Sequence, residues 1–300
     1  MKRILIIGGT GFIGYHLARY CLKKNFLVTS VSKNLPNIQR SIKGIKYILC
    51  DISDKKLLKI RLKDNFDYVV NLSGYVNHKN KKETYKSHYL GARNLGNFFL
   101  KKKIKKFIQV GSSMEYGRAS SPQKETLKCN PQSIYGTSKL LATLYFINLF
   151  LKENFPVTIL RLYQVYGPKQ DLNRLIPVVI NRCKENKNFP CSNGKQFRDF
   201  LYIDDLVRAI FISLNKKKSD GKIINIGSGH PLKIKDVITK IVRHFRTGKP
   251  LFGTIKLRKE EILRVFPDLE NSKKYLNWQS KINFKSGLKK TINFYDKKKY

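Results

Sequence analysis

The chain has 300 residues, 41% of them hydrophobic, with 16 Tyr and 18 Phe, enough to fill a sizeable core and too apolar for a disordered chain. Its formal charge is +41, but the lysines are scattered, with only short clusters at 101–103, 216–218 and 297–299. Lysine, asparagine and isoleucine are frequent throughout, so the charge reads as a solvated basic surface that favours small anionic substrates, with no motif or long basic arm for a specific nucleic acid.

Taken in order, the first element is a buried strand, KRILIIG at 2–8. With its charge and short apolar run the N-terminus mimics a signal peptide, but glycines break the run at once and a strand entering a turn explains it better. A helix is expected over 12–25, then strands at 26–32, 44–53 and 67–74, a helix over 85–103, and a strand at 105–113. The segment 133–153 reads as a helix apolar almost all round, with Leu140, Leu141, Leu144, Phe146, Ile147, Leu149 and Phe150. One face can pack on the sheet; the others need a second partner, either the chain itself or the same helix of a homodimer. VTILRLYQVYG at 157–167 is a further strand. Beyond 171 the pattern loosens into helices near 175–185 and 204–215, a late strand at 222–226, a helix over 234–245 and a polar end.

Strand-length apolar runs separated by helices imply a parallel sheet covered on both faces, an α/β doubly wound Rossmann architecture. Residues 1–170 are expected to form a dinucleotide-binding domain to which the strand near 222–226 returns, and residues 171–300 a smaller α+β substrate domain. Cys21, Cys50, Cys129, Cys183 and Cys191 are odd in number and widely spaced, which fits reduced thiols in a cytoplasm and no metal site. No apolar run reaches the length of a membrane span on this reading.

GGTGFIG at 8–14 sits between the first strand and the first helix. Gly8, Gly11 and Gly14 permit a tight turn and let the backbone approach a pyrophosphate, and Phe12 and Ile13 open the helix whose N-terminus adds positive potential. A site for NAD needs a carboxylate about 20 residues further on to hold the ribose hydroxyls. Between Gly14 and Asp51 there is no Asp or Glu, and the second strand ends Val31-Ser32-Lys33. A hydroxyl and a cation suit the 2′-phosphate of NADP, with NAD as the alternative and a surface role for Lys33 also open. Asp51, after the third strand, suits either the adenine amino group or, with Ser53, the N-cap of a helix.

YGTSK at 135–139 places Tyr135 and Lys139 one helical turn apart. A cation beside a phenol favours its ionised form, so Tyr135 is expected to exchange a proton at neutral pH.

GGTGFIG, Asp51-Ile52, NLSG (71–74), SSMEYG (112–117), YGTSK, RLYQVYGP (161–168), FRDFLYIDDLVRAI (197–210) and INIGSG (224–229) follow one another in that order. The chain thereby resembles the extended short-chain dehydrogenase/reductases, the sugar-nucleotide epimerase/dehydratase family, and is similar to their nucleoside-diphospho-4-keto-sugar reductase branch. The resemblance implies that Tyr135 is the acid/base, that Lys139 lowers its pKa and holds the nicotinamide ribose, and that Ser112 bonds the reacting sugar oxygen. It further implies cofactor contacts from Ile52, Leu72, Ser73 and Gly74. Substrate contacts would come from Ser113, Gln164, Arg198, which would grip the diphosphate, and Arg258.

Three departures matter. Gln164 replaces the family's usual asparagine, and His88 occupies a position that is often asparagine and is left outside the mechanism. The dehydratases of the family follow the serine with Asp-Glu; this chain has Ser113-Met114, and Glu115 comes one position late. On a strand, a shift of one turns a side chain to the opposite face, so 4,6-dehydration is disfavoured. Reduction of a nucleoside-diphospho-4-keto-6-deoxyhexose at carbon 4 is the leading expectation. A 4-epimerase retaining NAD is the alternative, and a non-catalytic NADP- or RNA-binding protein is the reading of another class.

Overall fold

A computed structural model describes residues 1–75, 77, 79–257 and 261–297. The first half runs β1 (Arg3–Ile7), α1 (Phe12–Lys23), β2 (Leu27–Ser32), β3 (Lys46–Leu49), α2 (Lys55–Arg61), β4 (Tyr68–Asn71) and α3 (Lys81–Tyr85). A π-helical turn, Lys86–Leu90, joins α3 to α4 (Gly91–Leu100), and β5 (Lys106–Ser112), α5 (Ile134–Glu153) and β6 (Val157–Leu162) follow. The second half contains β7 (Gln164–Tyr166), α6 (Leu175–Lys184), β8 (Asn188–Cys191), β9 (Phe197–Tyr202), α7 (Ile203–Ser213) and β10 (Ile223–Ile226). It closes with β11 (Pro231–Lys233), α8 (Ile234–Phe245), β12 (Lys249–Phe252), β13 (Arg264–Val265), α9 (Glu270–Leu276) and α10 (Phe284–Asp296).

Seven parallel strands in the order β10-β6-β5-β4-β1-β2-β3 make the main sheet. Alternation along β1 feeds two cores: Ile4 and Ile6 join the side covered by α1 and α7, Leu5 and Ile7 the side covered by α4 and α5. Burial on both faces is what a doubly wound sheet requires, and it explains why these strands read as continuous apolar runs. The order reverses between β1 and β4, which puts a crevice at their carboxyl ends.

Residues 157–167 do not form one strand. β6 stays in the main sheet, and after Tyr163 the chain enters β7, which pairs with β9 in a second sheet of β7, β9, β11 and β13. β10 then returns to pair with β6. A polar end was expected, but α10 buries Leu288, Ile292 and Tyr295.

By length and mean hydropathy α5 would suffice to cross a membrane, contrary to the reading of the sequence. In this fold it lies against β5, α4 and the 113–115 turn, burying Gly136, Ser138, Lys139, Ala142, Thr143, Phe146 and Leu149. Its outer side leaves Leu144 and Leu151 exposed.

Candidate functional site

The crevice is lined first by the glycine turn. A Cβ on Gly8 would stand 3.0 Å from the Leu72 carbonyl, and one on Gly14 would stand 2.3 Å from the Gly8 oxygen. The turn therefore packs directly on its own helix and on the chain leaving β4, as close backbone approach to a ligand demands. Gly11 is the N-cap of α1, without a side-chain cap and with no acidic residue in the first turn. The N–H groups at the head of Phe12 and Ile13 thus meet no competing carboxylate, which fits a pyrophosphate.

At the end of β2, Ser32 Oγ donates to the Val31 carbonyl (2.8 Å) and accepts from Thr10 N–H (3.4 Å). Lys33 pairs with Asp51 at 2.8 Å and Glu83 at 3.3 Å. Burial lowers the Lys33 pKa, but the two carboxylates outweigh it and hold the ammonium above its ordinary value. Burial likewise raises Asp51, while its bonds to Lys33 and Ser53 bring it below the usual carboxylate range. Asp51 does not cap α2; it accepts from Ser53 N–H and Oγ, and Asp54 is the cap, accepting from Lys56 and Leu57 N–H at 2.9 Å. Ile52 is buried against α4. Leu72 continues the β1 ladder, and Ser73 is held by Asn71 Oδ1.

Ser112, at the end of β5, is 7% exposed. Its hydroxyl lies close enough to that of Tyr135 to lower the phenol's pKa. Gly136 allows this: a Cβ there would stand 2.5 Å from the Met114 carbonyl, so glycine lets the first turn of α5 lie on the serine turn. Lys139 is buried and donates to the Val110 carbonyl on β5 at 2.9 Å.

The sign of the phenol's shift differs from the expectation. Burial holds Tyr135 above its ordinary value; the Ser112 hydroxyl opposes this, Glu115 adds to it and Arg174 opposes it. Helical spacing placed Lys139 on the same face, but the Val110 carbonyl engages its ammonium. Burial in turn pushes Lys139 down to about 8, partly offset by Glu115.

His88, omitted from the mechanism in the sequence, lies in the π-helical turn, buried against Gly74 and edge-on to Tyr135. Its substitution for a common asparagine was the one available signal. The π-helical turn that brings it there had no sequence signature.

The 113–115 segment is a single 3₁₀ turn, so its side chains fan out instead of alternating as on a strand. Ser113 is half-buried, Met114 is 39% exposed and Glu115 is wholly buried. Glu115 accepts from Ser112 N–H at 2.8 Å, Thr143 Oγ1 at 2.9 Å and Arg161 Nε at 2.8 Å. The expected strand alternation does not apply to this segment: a turn sets the direction of Glu115, whose carboxylate goes to Ser112, Thr143 and Arg161.

Gln164 is exposed at the start of β7, opposite Phe200 of β9. Arg198 on β9 donates to the Phe197 carbonyl (2.8 Å) and pairs with Glu261. Burial lowers its pKa, and Glu261 works against that. Asp199 is not its partner: it is fully buried and accepts from Ser228 N–H and Oγ and from Gly229 N–H. Arg258 lies outside the described residues. Among the described residues no group of three or more His, Cys, Asp or Glu is placed to hold a metal ion. A surface cavity of about 490 Å³ beside Arg118, Lys128 and Cys129 contains none of these residues.

Residues 4–227 match the NAD dependent epimerase/dehydratase family. A dTDP-D-glucose 4,6-dehydratase of Dictyostelium discoideum is 34% identical over 81% of this chain, which spans 62% of that relative's length. A putative UDP-glucose 4-epimerase of Methanocaldococcus jannaschii is 30% identical over 97% of both chains. The UDP-glucuronic acid 4-epimerase of Bacillus cereus, solved with UDP-glucuronic acid and NAD, superposes with a TM-score of 0.88 at 26% identity, covering 98% of this chain and 99% of that one.

Proposed function

The chain belongs to the NAD dependent epimerase/dehydratase family, a family of enzymes, and we propose that it reduces a nucleoside-diphospho-4-keto-6-deoxyhexose at carbon 4. The observation that carries this reading is the 113–115 turn. Met114 presents a thioether where elimination needs a carboxylate, and Glu115 is wholly buried and held by three donors. Ser112, Tyr135 and Lys139 then suffice for oxidation or reduction of a carbinol, whereas removal of water needs a further acid and base.

The nicotinamide cofactor supplies the hydride. Tyr135 passes its phenolic proton to the sugar oxygen, and Ser112 Oγ orients that oxygen. Lys139 keeps a cation near enough to favour the phenolate while the proton is away. The turn at Gly8, Gly11 and Gly14 with the head of α1 at Phe12 and Ile13 holds the pyrophosphate. Ser32, Lys33, Asp51 and Ile52 take the adenosine end, and Leu72, Ser73 and Gly74 line the cofactor. Arg198 takes the sugar-nucleotide diphosphate in its guanidinium fork, exchanging Glu261 for phosphate oxygens, with Ser113 and Gln164 beside the sugar.

NADP is the assigned cofactor because β2 ends in Ser32 and Lys33 without a carboxylate. A second reading, a 4-epimerase that retains NAD, is favoured by the pairing of Lys33 with both Asp51 and Glu83: two carboxylates around one cation oppose a 2′-phosphate. The epimerase names of two relatives support it as well.

We assign residues 1–170 to the dinucleotide unit, joined by β10, and 171–300 to the substrate unit. We assign a cytoplasmic homodimer packed through α5, whose Leu144 and Leu151 are 54% and 72% exposed. The test is spectrophotometric. Purified protein given a nucleoside-diphospho-4-keto-6-deoxyhexose should oxidise NADPH. Tightly held NAD and interconversion of a nucleotide sugar without net cofactor consumption would establish the epimerase instead. Salt-sensitive RNA retention without turnover would overturn both.

A further inference from the structure

Glu115 performs no acid/base chemistry in this reading, yet its surroundings are those of a designed joint. One carboxylate oxygen, Oε1, accepts from the backbone N–H of Ser112 at 2.8 Å. The other, Oε2, accepts from Thr143 Oγ1 at 2.9 Å and from Arg161 Nε at 2.8 Å. Ser112 ends β5, Arg161 lies on β6, and Thr143 is one turn past Lys139 on α5. The Arg161 guanidinium is itself buried and stacks over the Tyr116 ring, 4.4 Å from its centroid. A single buried carboxylate therefore joins the strand that carries the serine, the helix that carries the tyrosine and lysine, and the neighbouring strand.

We propose that Glu115, anchored by Arg161, is a positioning residue that fixes Ser112 relative to Tyr135 and Lys139. The inference rests on the reading that those three are the catalytic groups. Stability alone is a weak reason for such a pair, because a buried ion pair is often no better than apolar residues of similar volume. Placement is the better reason: Ser112 and Tyr135 lie on two different elements, β5 and α5, and Glu115 bonds to both. Misplacement of a reacting group by about 1 Å can cost on the order of a hundredfold in rate.

The test compares Glu115→Gln, the double variant Glu115→Leu/Arg161→Met, and Tyr135→Phe as control. The double variant removes both charges but leaves the Ser112 N–H and the Thr143 hydroxyl without this acceptor, so it should melt somewhat below the parent yet stay folded and bind NADP(H) as the parent does, measured by cofactor fluorescence. Its kcat, normalised to cofactor-binding sites, should nevertheless fall roughly tenfold to a hundredfold. In Glu115→Gln the pH profile of kcat should also move to lower pH. Lys139 faces the Glu115 charge and the Val110 carbonyl; Tyr135 faces Ser112, Glu115, Arg174 and the edge of His88. Removing the anion lowers the pKa of both groups, whichever one limits the rate. If Glu115→Gln does not fold, the double variant decides. A double variant with parental kcat, beside an inactive Tyr135→Phe, overturns the positioning role and leaves the catalytic reading intact. A fully active Tyr135→Phe overturns both.

Discussion

The imidazole of His88 stands edge-on to the phenol of Tyr135, with ring centroids 4.9 Å apart and planes at 81°. The same imidazole reaches the Tyr75 carbonyl at 3.2 Å through Nε2 and closes against Gly74, where a Cβ would stand 2.3 Å from Cε1. It thereby links the chain leaving β4 to the tyrosine. Edge-to-face pairs contribute about 1 kcal/mol beyond area burial. Loss of that support from the transition state should lower kcat about fivefold. His88→Ala should show this loss with KM for the nucleotide sugar nearly unchanged. Steady-state kinetics check it; a parental kcat in a folded variant would make His88 packing only.

Tyr135→Phe removes one hydroxyl from a partly buried ring that keeps its packing against His88. Cofactor affinity and melting temperature should stay close to the parent's, whereas turnover should fall about 10²- to 10⁴-fold, the range for a lost general acid. Stopped-flow or steady-state oxidation of NADPH measures the loss. Turnover near the parent rate would mean that the proton reaches the sugar oxygen by another route.

The parallel sheet was legible because strands buried on both faces leave uninterrupted apolar runs, and the glycine turn because close approach excludes side chains. Tyr135 and Lys139 were legible as a pair at helical spacing. What Lys139 touches was not: the Val110 carbonyl that engages its ammonium lies 29 residues away on β5. The same limit hid the role of Glu115, whose partners Ser112, Thr143 and Arg161 come from three elements. Asp54 outcompeted Asp51 and Ser53 as the α2 cap because it directly precedes the helix. α10 escaped notice because lysines surround its apolar positions 288, 292 and 295, so composition masked the helical period.

Lys33, at the end of β2, bonds to both Asp51 and Glu83. Lys33→Asp would place a third carboxylate there and remove the cation. A 2′-phosphate should then be rejected, so the ratio of kcat/KM for NADPH to that for NADH should drop at least about tenfold, equivalent to about 1.4 kcal/mol. An unchanged ratio would show that Lys33 serves only its two carboxylates and would weaken the assignment of NADP.

Lys139 is 5% exposed, and burial holds its pKa near 8 in place of the ordinary 10.5. The folded state therefore disfavours the ammonium form. Below about pH 8 both folded and unfolded chains carry the proton, and the folded chain bears the full cost, of order 3 kcal/mol. Between about 8 and 10.5 the unfolded chain binds more protons than the folded one, so stability rises with pH through that window and the cost vanishes above it. Lys139→Met lacks the titration while filling similar space. Urea unfolding at a series of pH values should show the parent gaining on this variant by on the order of 3 kcal/mol from pH ~7.5 to pH ~10.5. Other titrating groups cancel in the difference. A constant gap across that range would mean that the ammonium is hydrated in the folded protein and that Lys139 does not sit in the low-dielectric crevice on which the proton transfer at Tyr135 depends.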